Sequence, residues 1–174
     1  MNDLKGRMIR AARLDSSLYE EVEADTSAST QAVMVVILSS LGSGIAGLGY
    51  IGIKGLILNT VVALVGWYIW AYVTYFVGTK ILPEPQTSSN PGELLRTLGF
   101  ASAPGVIRVI GVIQPLAGLV NFIAAIWMLI TMIIAVRQAL DYRGIGRAIG
   151  VCLIGWFIYA LLTVVLGTLT GWSF

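Results

Sequence analysis

The sequence contains no histidine and a single cysteine, Cys152. Without imidazole the chain lacks the usual axial ligand of haem, the usual nitrogen ligand of zinc and the commonest general base. One cysteine has no partner for an intrachain disulfide or a thiolate cage. Charge is scarce as well. Asp, Glu, Lys and Arg make up 11% of the 174 residues, against about 25% in soluble proteins. Eleven basic and nine acidic residues leave a formal net charge of +2, too little for a nucleic-acid surface. The first 30 residues show no apolar h-region with a cleavage site, so the first span is expected to insert directly.

What the chain has in quantity is apolar surface. Hydrophobic residues are 57% of it and the mean hydropathy is +0.85. A membrane-spanning helix needs about 20 apolar residues. Five segments qualify or nearly qualify: 31–50, 55–79, 99–113, 117–138 and 147–170. The expected fold is all-α, a polytopic membrane bundle of five transmembrane helices with a short N-terminal interfacial helix. Residues 1–30 form a cytoplasmic N-terminal segment and 31–174 the transmembrane domain. In the first part Leu4, Met8, Ala11 and Ala12 recur at three-to-four spacing. That predicts a short amphipathic helix with its arginines on the wet side; a solvated tail fits equally well. Residues 82–92, with three prolines and Gly92, read as a loop. Residues 93–98 read as an interfacial helix leading into the third segment.

The third segment is short and carries Arg108, Gly105 and Gly111. Charge placement decides whether it spans. If it does, Lys5, Arg7, Arg10, Arg13, Lys80, Arg96, Arg137, Arg143 and Arg147 all fall on the inside, and only Lys54 falls outside. If it does not, the three arginines of 137–147 move outside. Five spans therefore follow, in a bacterial cytoplasmic membrane, with the N-terminus cytoplasmic and the C-terminus outside.

Arg108 is the most conspicuous side chain, because a charge within the hydrocarbon usually marks a function. Every acidic residue falls on the cytoplasmic side in this topology, so Arg108 has no partner inside the membrane. It lies near the outer turn at Gln114-Pro115 and reads first as an arginine snorkelling to outer headgroups, second as a substrate or partner site. Arg137, Gln138 and Asp141 end the fourth segment, where Arg137 and Asp141 stand at i,i+4 spacing suited to an ion pair. Glu93 and Arg96 enter at the same level. Together they read as an interfacial network, or as a docking or lipid-headgroup surface. Tyr68, Tyr72, Tyr75 and Phe76 share one face of the second segment. They read as packing with an interface belt, and secondarily as a stacking groove for a quinone, carotenoid or other flat lipid. Small residues recur four apart at Ser40/Gly44, Ser43/Gly47, Gly146/Gly150 and Gly167/Gly171, with Gly42/Gly49 seven apart. Such spacing permits close helix approach.

Three stretches carry a family likeness. Residues 93–105 read ELLRTLGFASAPG, 135–142 read AVRQALDY, and GWYIW at 66–70 leads to GTK at 78–80. The arrangement resembles bacterial members of the Yip membrane-protein family over about residues 25–170. The resemblance implies a five-helix bundle with a cytoplasmic N-terminus, and importance for Arg96, Pro104, Arg137, Gln138 and Asp141. The eukaryotic relatives interact with Rab GTPases, but their Asp-Leu-Tyr-Gly-Pro string is missing here, so Rab binding is not carried over.

No base, metal cage or phosphate loop accompanies the hydroxyl side chains. The expected function is therefore non-enzymatic, with no cofactor. The chain is read as an integral membrane scaffold or adaptor that packs against other integral membrane proteins or lipid. An accessory subunit of a respiratory or photosynthetic assembly is one form of this. The alternative is a small oligomeric permease or channel whose polar path uses Arg108, Asn59, Asn121 and Gln114.

Overall fold

The computed structural model describes residues 3–170. Among them the chain forms seven α-helices and no strand: α1 (Leu4–Ala12), α2 (Ser16–Ala24), α3 (Ala28–Ala46), α4 (Leu48–Phe76), α5 (Pro91–Ala101), α6 (Ala117–Ala139) and α7 (Ile145–Thr170). A π-helical turn, Val77–Ile81, prolongs α4, and a 3-10 helix, Ala103–Val112, prolongs α5. Four helical stretches are long and apolar enough to cross a membrane: Ala28–Ala46, Leu48–Ile81, Pro91–Val112 and Gln114–Ala139. A fifth apolar stretch, Ile145–Leu161, belongs to α7. The pair Gly167 and Gly171 lies outside the residues whose surroundings are described.

The third segment differs most from its sequence reading. Residues 93–98 are helical and run without a break into the segment. They belong to α5, in which Leu94, Arg96, Thr97, Leu98, Gly99, Phe100 and Ala101 are all buried. The helix starts earlier because Asn90 and Glu93 cap each other reciprocally, with Pro91 at its first position. Pro104 has no N–H to continue the α-helical ladder, and the chain tightens to 3-10 pairing, as in Gly105 N to Ser102 O at 2.9 Å. Eleven α-helical and ten 3-10 residues make a rod of about 36 Å at 1.5 and 2.0 Å per residue. That exceeds the ~30 Å hydrocarbon thickness, so a segment that looks short in sequence is long enough.

The N-terminal segment folds as two helices. On α1, Leu4, Met8, Ile9 and Ala12 face Leu38 and Ala103 of the bundle, so the amphipathic reading holds. The placement of Arg7 does not, whereas Arg13 is exposed as expected. Arg7 is buried, with 4% exposure, because the α2 carboxylates fold over it. In α4, Gly52 adopts φ 62 and ψ −176, a region open only to glycine. The regular part of α4 therefore begins beyond it, close to the expected residue 55.

The bundle is organised by close approach of α3 to the α5 rod. A Cβ on Gly99 would lie 2.7 Å from Ala32 Cβ, and one on Gly42 would lie 2.9 Å from the Val106 carbonyl oxygen. Gly44 is likewise buried, under Leu56 of α4. The stripe on α3 thus packs inside the bundle. Gly47 meets only its own turn and Ile51 at the start of α4, and Gly49 meets nothing within 4 Å; the partner glycine of α5 lies outside the expected pattern. Gly99→Ala is expected to lower unfolding stability in detergent by about 2 kcal/mol, because backbone and not a pliable side chain stands in the way. Gly118→Ala, where nothing lies within 4 Å, should be neutral or stabilising by up to about 1 kcal/mol. Equal effects of the two substitutions, measured by thermal unfolding, would contradict the close approach.

Candidate functional site

Two polar constellations stand out. The first gathers α1, α2, the start of α5, the 82–90 loop and the end of α6 at one charged end of the bundle. Arg7 donates from Nε to Glu21 at 2.9 Å, from Nη1 to Gln31 Oε1 at 3.0 Å and from Nη2 to Asp25 at 2.8 Å. Arg10 pairs with Asp15 at 2.8 Å and with Glu21. Arg96 turns away from Glu93. Its Nε donates to the Val22 carbonyl at 2.8 Å and its Nη2 to the Glu23 carbonyl. It thus satisfies the orphan carbonyls that end α2. Gln138 donates to Glu20 at 2.7 Å, and Trp127 Nε1 to the Ala12 carbonyl at 2.8 Å. Four side chains from three helices therefore fasten the N-terminal pair to the bundle. Glu23 is half-buried there, and burial first, then Glu93 and Asp141, push its carboxyl up to about 7.

The expected Arg137–Asp141 pair does not form. Helix α6 stops at Ala139, so Asp141 is no longer one turn above Arg137. The Asp141 N–H donates to Gln138 O at 2.9 Å and the Tyr142 N–H to Arg137 O at 3.0 Å. These are the two bonds of a Schellman ending. Asp141 takes the left-handed position, at φ 54. Arg137 instead donates to the Tyr142 carbonyl at 3.3 Å. The Tyr142 hydroxyl lies 2.9 Å from Gly78 O and 2.8 Å from Leu82 O, joining this turn to the π-helical end of α4. The loop is tied down by Glu84, which accepts from the Arg143 N–H at 3.2 Å and pairs with Arg147 at 3.2 Å.

The second constellation is a cavity of about 640 Å³ at the centre of the bundle, to which α3, α4, the α5 rod, α6 and α7 all contribute. Its polar wall carries Ser39, Ser40, Ser43, Asn59 and Arg108. Asn59 is satisfied within the protein, donating to Ser40 O at 3.0 Å and Ser43 Oγ at 3.3 Å. Ser40 donates to Ile37 O at 2.8 Å. Arg108 is different. It is half-buried on the cavity wall, and its Nε is buried without a hydrogen-bond partner. Trp70 Nε1, on the same cavity, is also buried without a partner.

The aromatic face reads differently in three dimensions. Tyr68 and Tyr72 stack with ring centroids 4.8 Å apart and hydroxyls 3.0 Å apart, but both are exposed on the outside of α4. Tyr75 is half-buried against the core. None of the three lines the cavity. The rings that do are Trp67, Trp70, Trp156 and Tyr159. The GWYIW string contains two of them, and only their opposite helical phase from Tyr68 and Tyr72 separates the two roles. Of the expected polar path, Arg108 and Asn59 face the cavity, whereas Asn121 and Gln114 are exposed elsewhere. No protein-family model, curated protein or solved structure matches this chain.

Arg7→Met should lower the unfolding temperature, since it removes the buried guanidinium that donates to Glu21, Asp25 and Gln31. Ser27 and Arg7 hold Asp25 at about 2, below its ordinary 3.8, and Arg10, with Arg7, holds Glu21 below the usual range. These groups are more acidic folded than unfolded. Their stabilisation is therefore complete above about pH 4.5 and fades as the pH falls through about 2. Acid unfolding of the wild type should show this loss, and Arg7→Met should show less of it. Asp141→Gly should raise stability by about 0.5–1 kcal/mol by relieving the left-handed backbone. A cycle of Arg137→Ala with Asp141→Ala should be additive within about 0.5 kcal/mol; larger coupling would restore the ion pair.

Proposed function

We propose that the chain is a five-span integral membrane protein that acts as a non-enzymatic adaptor, with its charged end in the cytoplasm and its C-terminus outside. The observation that carries this reading is the construction of the charged end. Helices α1 and α2 are fastened to the bundle by Arg7, Arg96, Gln138 and Trp127. A fixed surface of that kind suits docking. It exposes Lys5, Arg13, Lys80 and Arg143, charges that no ion pair among the described residues uses. The apolar side of α4, with no buried residue in its most apolar window, supplies a second face for lipid or a neighbouring membrane protein. The likeness of residues 93–105 and 135–142 to bacterial Yip proteins supports the same topology, and an accessory role in a larger membrane assembly is its simplest setting.

A second reading, a permease or channel, draws on the central cavity and its arginine. The cavity favours it less, because two of the four polar residues assigned to a path lie away from it.

In a Cys152→Ser background, a cysteine at Gly118 should react with an impermeant thiol reagent on intact cells, and one at Ser88 only after lysis. The reverse pattern would invert the topology. Cross-linking in native membranes should recover a discrete partner with the wild type. Lys5→Glu/Arg13→Glu/Arg143→Glu should lose it while still eluting as a folded species. A triple variant that keeps the partner would remove the charged end from the interface.

A further inference from the structure

The central cavity has a chemistry of its own. At its polar end stands one cation, Arg108, whose Nε is buried without a partner. No anion of the chain is near enough to pair with it among the described residues. All nine acidic side chains belong to residues 3–25, Glu84, Glu93 and Asp141, and none of them lines the cavity. A guanidinium whose Nε is buried without a partner or a counter-ion is under-satisfied, and an anion held by charge-assisted hydrogen bonds meets that need.

Away from Arg108 the cavity turns apolar and aromatic. Along α4 it runs from Asn59, beside the Ser40 and Ser43 pair, to Trp70. Those eleven residues rise about 16 Å. The walls there are Trp67, Met132 and Leu98. A charged end joined to a long apolar trough matches an amphiphile, not a small soluble ion. The volume of about 640 Å³ holds about 20 non-hydrogen atoms at the ~30 Å³ that a water takes in the liquid. That matches one acyl chain with its head.

The cavity also opens sideways. Leu129 on α6 and Leu153 and Trp156 on α7 line it, yet they are 52%, 63% and 67% exposed. A gap between α6 and α7 therefore leads from the cavity to whatever surrounds the helices. In a membrane that is hydrocarbon, so the ligand enters from the bilayer.

We infer that the central cavity is a binding site for a single-chain anionic lipid, its carboxylate or phosphate head on Arg108 and its chain along the tryptophan wall. The site rests on the spanning reading of the helices and is independent of the adaptor role. Thiol labelling at positions 88 and 118 reads the topology separately, so failure of one is distinguishable from failure of the other.

The test uses the full chain in dodecyl maltoside and 9,10-dibromostearate, whose bromines quench tryptophan. Three of the five tryptophans line the cavity. Quenching should saturate. The methyl ester of the probe should bind about tenfold more weakly or worse, as should Arg108→Leu, because each removes one partner of the charged contact. Arg108→Lys should stay within about threefold of the wild type, and Ala63→Phe, which fills the trough, should abolish saturable quenching. Quenching that is linear in probe, or unchanged in Ala63→Phe, would show partition into the micelle and overturn the site. Binding by Arg108→Leu equal to the wild type would overturn the role of the arginine. Displacement of the probe by millimolar inorganic phosphate would overturn the lipid assignment in favour of a soluble anion. If Arg108→Leu does not fold, the ester comparison and Ala63→Phe decide alone.

Discussion

Helix α3 and the rod made by α5 and its 3-10 extension meet backbone to backbone, and that contact sets the geometry of everything else. It is possible only because Gly42, Gly99 and Gly105 present no side chain at the crossing. A Cβ on Gly105 would lie 2.0 Å from Ser39 Oγ and 2.9 Å from the Met128 sulfur. Where tails of lipid are as apolar as leucine, close packing of this kind replaces the hydrophobic effect as the force between helices. The rod thereby becomes the buried axis of the bundle, and α4, α6 and α7 arrange themselves around it.

The same rod explains where Arg108 points. In a 3-10 helix, residues three apart eclipse one another. Ser102, Gly105, Arg108 and Gly111 therefore form one straight row. Gly105 faces α3 and α6, Gly111 faces Ala46 and Ala117, and Ser102 and Arg108 line the cavity. In an α-helix the row would drift by about 60° every three residues, carrying position 108 round toward a neighbouring face. The tighter winding that follows Pro104 is thus what aims the guanidinium at the centre.

This is also where reading the sequence reached its limit. Apolar runs, the proline-rich loop and the amphipathic N-terminus are local patterns, and their elements formed close to the expected places. Helix type after Pro104 depends on what the backbone packs against, so neither the length of the third segment nor the direction of Arg108 could be read from spacing. Arg7 was assigned to water because its partners, Glu21, Asp25 and Gln31, are 14 to 24 residues away. The i,i+4 spacing of Arg137 and Asp141 was correct arithmetic on a helix that ends two residues too soon. On α4 the tyrosines drew attention as a stripe, while the tryptophans one and two positions away took the inner face.

Glycine contacts on one side and tryptophan rings on the other together account for the cavity. The glycines draw α3 onto the rod. Trp67 spans from α4 to the Leu95 carbonyl of α5 at 3.2 Å, and α7 rides over Trp70 at Gly155, where a Cβ would lie 3.2 Å from the ring. Five helices packed around one close pair and one set of bulky rings leave space between them. Sealed inside a soluble protein, a void of 640 Å³ would cost on the order of 15 kcal/mol at ~24 cal/mol per Å³, as much as the whole stability of many domains. In a bilayer, an opening between α6 and α7 would remove that cost by admitting hydrocarbon. Hydrocarbon alone still leaves Arg108 unpaired, and a chain that carries its own negative head satisfies both demands at once.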